Sequence, residues 1–174
     1  MATEDVGYKG TNADWRTFSA YIYYYQVTTN SSIVLDSYSV YCGGTASGTG
    51  TFVLYTDNGS NKPGSLIANT QSAGVTLTTN AWKSAAVTGG ATLAAATKYW
   101  ICIKGTADVK CARIAVGSGY LVGYQNVTSF PSTATTVSEA TTGEGIYLTG
   151  TVVVASACPI NLLKTRILNK GVMH

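Results

Sequence analysis

The side chains of this sequence that could carry chemistry are few. Cys42, Cys102, Cys111 and Cys158 are the most nucleophilic, yet no two stand at the close spacing of a zinc site, and only His174 could join them as a nitrogen ligand. No metal is expected. Four cysteines allow two disulfides, but buried thiols also pack as small hydrophobes, and the count leaves both readings open. Acid/base or nucleophilic catalysis needs a nucleophile with an oriented base, or two convergent carboxylates. His174 is the last residue, no Gly-x-Ser-x-Gly elbow occurs, and the eight acids fall mainly in termini and loops. Asp36 alone lies inside a strong strand pattern, sharing a face with Val34, Tyr38 and Val40, where a hydrogen-bond partner is expected rather than a catalytic role. Asp57-Asn-Gly-Ser-Asn61 sets oxygen ligands on a tight loop, but no Glu follows at the twelfth position of a calcium loop, and Asn-Gly is what a turn requires. The glycine-rich pieces at 43–50 and 89–90 lack the Lys-Ser/Thr and the helix of a phosphate loop and read as turns. The expectation is a non-enzyme with no catalytic residue and no cofactor.

Aromatic side chains are the remaining chemistry. Twelve Tyr and three Trp suit either sugar stacking or a protein interface, since both use flat amphipathic rings. Trp82 and Trp100 fall within strand patterns and are expected to pack inside. Trp15, Tyr120, Tyr124 and Phe130 fall in or near loops and are the candidates for an exposed glycan or interface platform.

The elements that must position them are strands. Charged residues make up 11% of the chain against about 25% in an average domain, and polarity comes instead from 26 Thr, 15 Ser and 19 Gly, which suit strands and turns. With 174 residues there is enough chain for one core. About eight to ten β-rich runs are separated by turn residues, at 19–28, 32–42, 51–57, 65–70, 74–78, 81–87, 98–104, 109–116, 119–125 and 145–155. In the first run Tyr21, Tyr23 and Tyr25 share one side and Ile22 and Tyr24 the other, so this strand should be covered on both faces. The expected core includes Leu35, Val40, Phe52, Leu54, Leu66, Trp82, Tyr99, Ile101, Ile114, Leu121, Tyr147 and Val153. Residues 105–108 read as a hairpin loop, which would set Lys104 opposite Val109, Cys102 opposite Cys111 and Trp100 opposite Arg113. In that register Cys102 and Cys111 are the candidate disulfide, and Trp100 with Arg113 a cation–π pair.

Residues 126–144 read as a long surface loop around Phe130-Pro131. The division expected is an N-terminal segment at 1–18, a sandwich at 19–156 and a C-terminal arm at 157–174. In the arm Ile160, Leu163 and Ile167 form an apolar stripe that needs a surface, on this domain or on a neighbouring subunit. No apolar run reaches the length of a membrane span, the first residues lack the pattern of a secretory signal, and the basic residues are scattered, so neither membrane insertion nor nucleic-acid binding is expected.

Val53-Leu-Tyr-Thr-Asp57, Lys62-Pro-Gly-Ser-Leu-Ile67, Asn80-Ala-Trp82 and Leu93-Ala-Ala-Ala-Thr-Lys-Tyr-Trp-Ile101 together resemble a recurrent module of the carbohydrate-binding jelly-roll kind. Such modules occur in secreted surface proteins and as isolated domains in structural proteins of tailed phages. The resemblance implies a single all-β, jelly-roll-like antiparallel β-sandwich with a C-terminal arm. It implies as function a non-enzymatic structural or decoration protein on the virion surface, whose partners are other protein subunits in an oligomer or lattice. A glycan-binding module or adhesin, extracellular or on a cell surface, is the alternative it also implies. A filament or sheath subunit that completes a neighbour's sheet with an end segment is a third reading.

Overall fold

The structure, a computed structural model, describes residues 1–11, 14–18, 22–44, 47–106, 109–115, 122–125, 127, 129–134 and 142–154. Within them the strands are Thr3–Tyr8 (β1), Asp14–Phe18 (β2), Ile22–Thr28 (β3), Ile33–Cys42 (β4), Thr49–Asp57 (β5), Pro63–Leu66 (β6), Val75–Thr76 (β7), Ala81–Ala86 (β8), Thr92–Leu93 (β9), Lys98–Gly105 (β10), Val109–Ala115 (β11), Val122–Gln125 (β12), Thr142–Glu144 (β13) and Ile146–Val152 (β14). They form two antiparallel sheets packed as a β-sandwich. The eight-stranded sheet runs β1-β14-β4-β11-β13, with β2 on β11 and with β8 and β9 on β4. The six-stranded sheet runs β12-β3-β10-β5-β6, with β7 on β5. Among the described residues no helix is long and apolar enough to cross a membrane.

Period-two alternation builds two apolar layers from the six-stranded sheet. Tyr23 and Tyr25 of β3, Phe52 and Leu54 of β5, and Tyr99, Ile101 and Ile103 of β10 face the eight-stranded sheet, where they meet Ile33, Leu35, Tyr38, Val40, Ile146 and Leu148. Tyr38 stacks on Phe52 across the two sheets, ring centroids 5.4 Å apart and 12° from parallel, and its hydroxyl donates to the Thr70 carbonyl at 2.7 Å. Each large side chain so buried contributes roughly 1.5–3 kcal/mol. The intervening residues Ile22, Tyr24, Val53, Tyr55, Trp100 and Cys102 point the other way and form a second buried cluster. The central strand of tyrosines is therefore covered on both faces, as its composition requires.

A strap makes that second layer possible. Val127, Phe130 and Ala134 pack on the second cluster, the Tyr55 hydroxyl donates to the Pro131 carbonyl at 2.7 Å, and backbone bonds tie Leu66 to Ser132 and Ala134 to Gly64. This part of the expected surface loop is thus a packing element, because the outer face of β3, β5 and β10 is too apolar to be left in water.

Two local expectations are overturned. Residues 105–108 do not close a hairpin: β10 lies between β3 and β5 in one sheet, while β11 pairs with β2, β4 and β13 in the other. Neighbours on both sides fill the ladder of β10, so the chain arches across to the second sheet. Lys104 and Val109, and Trp100 and Arg113, are accordingly not cross-strand pairs; Arg113 is in register with Asp14 and Glu144. The face expected for Asp36 is also changed, by a β-bulge where Thr149 and Gly150 of β14 meet Ser37 and Leu35. The extra residue shifts the phase, so Ile33 and Leu35 before it and Tyr38, Val40 and Cys42 after it all reach the core. Asp36 is left half-buried, accepting a hydrogen bond from Thr151 Oγ1 at 2.7 Å.

Strands begin ahead of the boundary expected at residue 19, since β1 and β2 both belong to the eight-stranded sheet. Leu35, Val40, Phe52, Leu54, Tyr99 and Ile101 are core residues, and Leu66 packs half-buried on the second cluster. Trp82 and Tyr147 are half-buried outside the core, and Val153 is exposed. Ile114 lies in β11, and Leu121 falls outside the described residues.

Candidate aromatic face of the eight-stranded sheet

Parity places three large rings on the outer face of the eight-stranded sheet. Tyr41 lies between the core residues Val40 and Cys42, and Tyr147 between Ile146 and Leu148, so both must point away from the core. Trp82 of β8 is directly opposite Tyr41 in the β4–β8 ladder. Its ring is central: the Tyr41 and Trp82 centroids are 5.5 Å apart at 65°, and those of Trp82 and Tyr147 are 5.1 Å apart at 62°. Such edge-to-face pairs are favourable beyond their buried area. All three residues remain half-buried.

The backbone beneath the rings is closely fitted. Gly7 of β1 adopts a φ of +133°, and a Cβ there would lie 2.6 Å from the Ile146 carbonyl oxygen and 2.7 Å from Tyr147 Cα. Only glycine allows β1 to pass so near Tyr147. Lys9, just beyond β1, sets its ammonium 4.8 Å from the Tyr147 ring centroid and pairs with Asp5. Hydrogen bonds from Lys9 and from Thr149 Oγ1 hold the Asp5 carboxyl below its ordinary value, and Asp5 in turn raises Lys9. Ser39 and Ser84 share a hydrogen bond of 2.7 Å in the same ladder. Among the described residues the face thus combines rings, hydroxyls and the Lys9–Asp5 ion pair.

A second feature is a cleft of about 350 Å³ beside the strap, lined by Thr51, Leu66, Gln71, Lys104, Thr106, Ser129 and Phe130. Phe130 and Leu66 supply an apolar wall, and the others supply hydroxyl, amide and ammonium groups. A cleft of about 340 Å³ between β1 and β3 has no aromatic residue among the described residues of its lining.

The Asp57 loop is engaged in its own turn. Asp57 Oδ1 accepts from the Gly59 N–H at 2.8 Å, while Oδ2 accepts from Trp100 Nε1 at 2.9 Å and Gln26 Nε2 at 3.1 Å. Among the described residues no group of three or more His, Cys, Asp or Glu side chains is placed to hold a metal ion.

Of the residues singled out in the sequence, Phe130 lines the strap cleft. Trp15 is in strand β2, in register with Ala112, and Tyr124 is in strand β12, in register with Tyr23. Tyr120, Ile160, Leu163 and Ile167 lie outside the described residues. Cys102 and Cys111 are in different sheets and different apolar clusters, so the cross-strand pairing expected of them is not made; Cys111 is in register with Cys42 of β4 on one side and Arg16 of β2 on the other. Trp82 and Tyr147, both expected in the core, lie instead on the outer face beside Tyr41. The usable signal was strict alternation, in which Tyr147 cannot share a face with Ile146 and Leu148.

No protein-family model matches the chain, and no curated protein matches it significantly.

Proposed function

We propose that this chain is a non-enzymatic structural subunit, of the kind that builds or decorates a virion surface, and that it docks on further copies of itself through the outer face of the eight-stranded sheet. The observation that carries the reading is the Tyr41, Trp82 and Tyr147 cluster, three half-buried rings on the outer face of the sheet. Protein interfaces concentrate Tyr and Trp at their centres and exclude charge there, and this chain has a charged fraction of only 11%. The virion context rests on the resemblance of the 53–101 stretch to jelly-roll modules of phage structural proteins.

The test is light scattering over a concentration series, comparing the full chain with Trp82→Ala and with a chain ending at Ser156. A defined oligomer that Trp82→Ala dissociates, with its β circular dichroism retained, supports the reading. A full chain that stays monomeric at every concentration refutes it. The truncated chain asks separately whether the C-terminal residues contribute to assembly.

The strap cleft favours a second reading, a glycan-binding module, because Phe130 offers a stacking surface beside the donors and acceptors of Gln71, Lys104 and Ser129. Binding on a glycan array that Phe130→Ala removes would support it. Silence at millimolar ligand, with calcium and with chelator, would count against it.

A further inference from the structure

The chain from Thr142 to Val152 runs through β13 and β14 and changes partner on the way. Its first part pairs with β11 and its second with β4. Gly145 is the switch: its N–H donates to the Ala112 carbonyl of β11 at 3.0 Å, and its carbonyl accepts from the Tyr41 N–H of β4 at 2.8 Å. β4 and β11 consequently meet at the base of a fork, and the register pair joining them is Cys42 with Cys111.

Three observations describe this pair. Both residues belong to the main core cluster, on the same side of the sheet, and are 0% and 1% exposed. The Gly43 N–H donates to the Lys110 carbonyl at 2.9 Å, one residue outward from the pair. That bond puts Cys42 and Cys111 at a non-hydrogen-bonded position of the antiparallel ladder, where facing Cα atoms are closest, about 4.5 Å apart. A disulfide spans Cα separations of about 4.4–6.8 Å, so this position can be bridged without moving the strands far.

We propose that Cys42 and Cys111 are a site of covalent modification, forming an intramolecular cross-strand disulfide by exchange with a low-molecular-weight disulfide. The Cys42 thiolate attacks one sulfur of oxidised glutathione, giving a mixed disulfide and releasing one glutathione thiolate. The Cys111 thiolate then attacks Cys42 Sγ, the protein S–S bond forms, and the second glutathione leaves. Two cysteine thiols are oxidised and one glutathione disulfide is reduced to two thiols, with the cysteine protons passing to water and the departing thiolates. Burial pushes the Cys42 thiol up to about 11 and closes access, so exchange is fast while the strands assemble and slow in the folded chain. The bond closes a loop of about 70 residues and locks the fork.

The full chain is refolded with oxidised glutathione, or with dithiothreitol, then alkylated under denaturing conditions and mapped by mass spectrometry. The expected result in the oxidised sample is a linked peptide pair containing Cys42 and Cys111, with Cys102 alkylated, and a melting temperature above that of the reduced sample. Cys42→Ala should abolish both the link and the difference in melting temperature, while Cys102→Ala should leave them in place. Alkylation of both Cys42 and Cys111 after oxidative refolding, or linkage of either one to Cys102 or Cys158, overturns the proposal. The wild-type map decides even if a variant fails to fold.

Discussion

Asp57 joins a surface turn to a buried ring. One carboxylate oxygen closes the turn on the Gly59 N–H, and the other receives Trp100 Nε1, whose indole is 1% exposed. Asp57→Ala leaves that N–H without its acceptor, and the expected loss is about 1–3 kcal/mol in urea unfolding. Asp57→Asn, which keeps a carbonyl acceptor, should lose less. Equal losses for the two variants would show that the charge and not the acceptor matters. Much at this scale was legible: Asp57-Asn-Gly-Ser-Asn61 declares a turn, and the tyrosines of β3 declare two covered faces. Trp82 was not, since tryptophan in a strand pattern suits an interior or a half-buried outer face equally well, and only its ladder partner Tyr41 decides.

At the scale of elements, β1 is fastened from its side chains as well as its ladder. Glu4 accepts the N–H groups of Asn30 and Ser31 at 2.7 and 2.8 Å, beyond the end of β3. Partial burial pushes the Glu4 carboxyl up, but these donors outweigh it and hold it below the ordinary value. A carboxyl lower in the folded than in the unfolded chain stabilises fully above its unfolded value and loses that contribution as pH falls through the folded one. Asp5 acts with the same sign. The urea midpoint should therefore fall as pH drops through about 4 and below, and Glu4→Gln should flatten part of that fall. A Glu4→Gln profile parallel to the wild type would contradict this anchoring.

The bulge in β4 has its own requirement. A Cβ on Gly150 would lie 2.7 Å from Ile33 Cδ1 and 2.8 Å from the Val34 carbonyl oxygen. Gly150→Ala is expected to cost about 1–3 kcal/mol through displaced packing, read as a lower melting temperature. An unchanged melting temperature would mean that the bulge yields freely. Neither this bulge nor the arch from β10 to β11 could be read in advance. Local alternation fixes which residues share a face, but not which sheet a strand joins or where one extra residue reverses the phase.

For the whole molecule, the sandwich class followed from composition and period, while the strap across the second cluster did not. Residues 126–144 are rich in Ser and Thr, and the few apolar residues that pack there, Val127, Phe130 and Ala134, gain significance only once the outer face of β3, β5 and β10 is seen to need cover. With that face covered, it is the outer face of the eight-stranded sheet, with its half-buried aromatic cluster, through which self-association is proposed. Hydroxyl-radical footprinting of the full chain at low and at high concentration addresses it most directly. Modification of Tyr41, Trp82 and Tyr147 should fall together as concentration rises; loss of protection in Trp82→Ala at Tyr41 and Tyr147 should accompany dissociation. Ring modification that is the same at every concentration, in a chain that does associate, would place the interface elsewhere and contradict docking through this face.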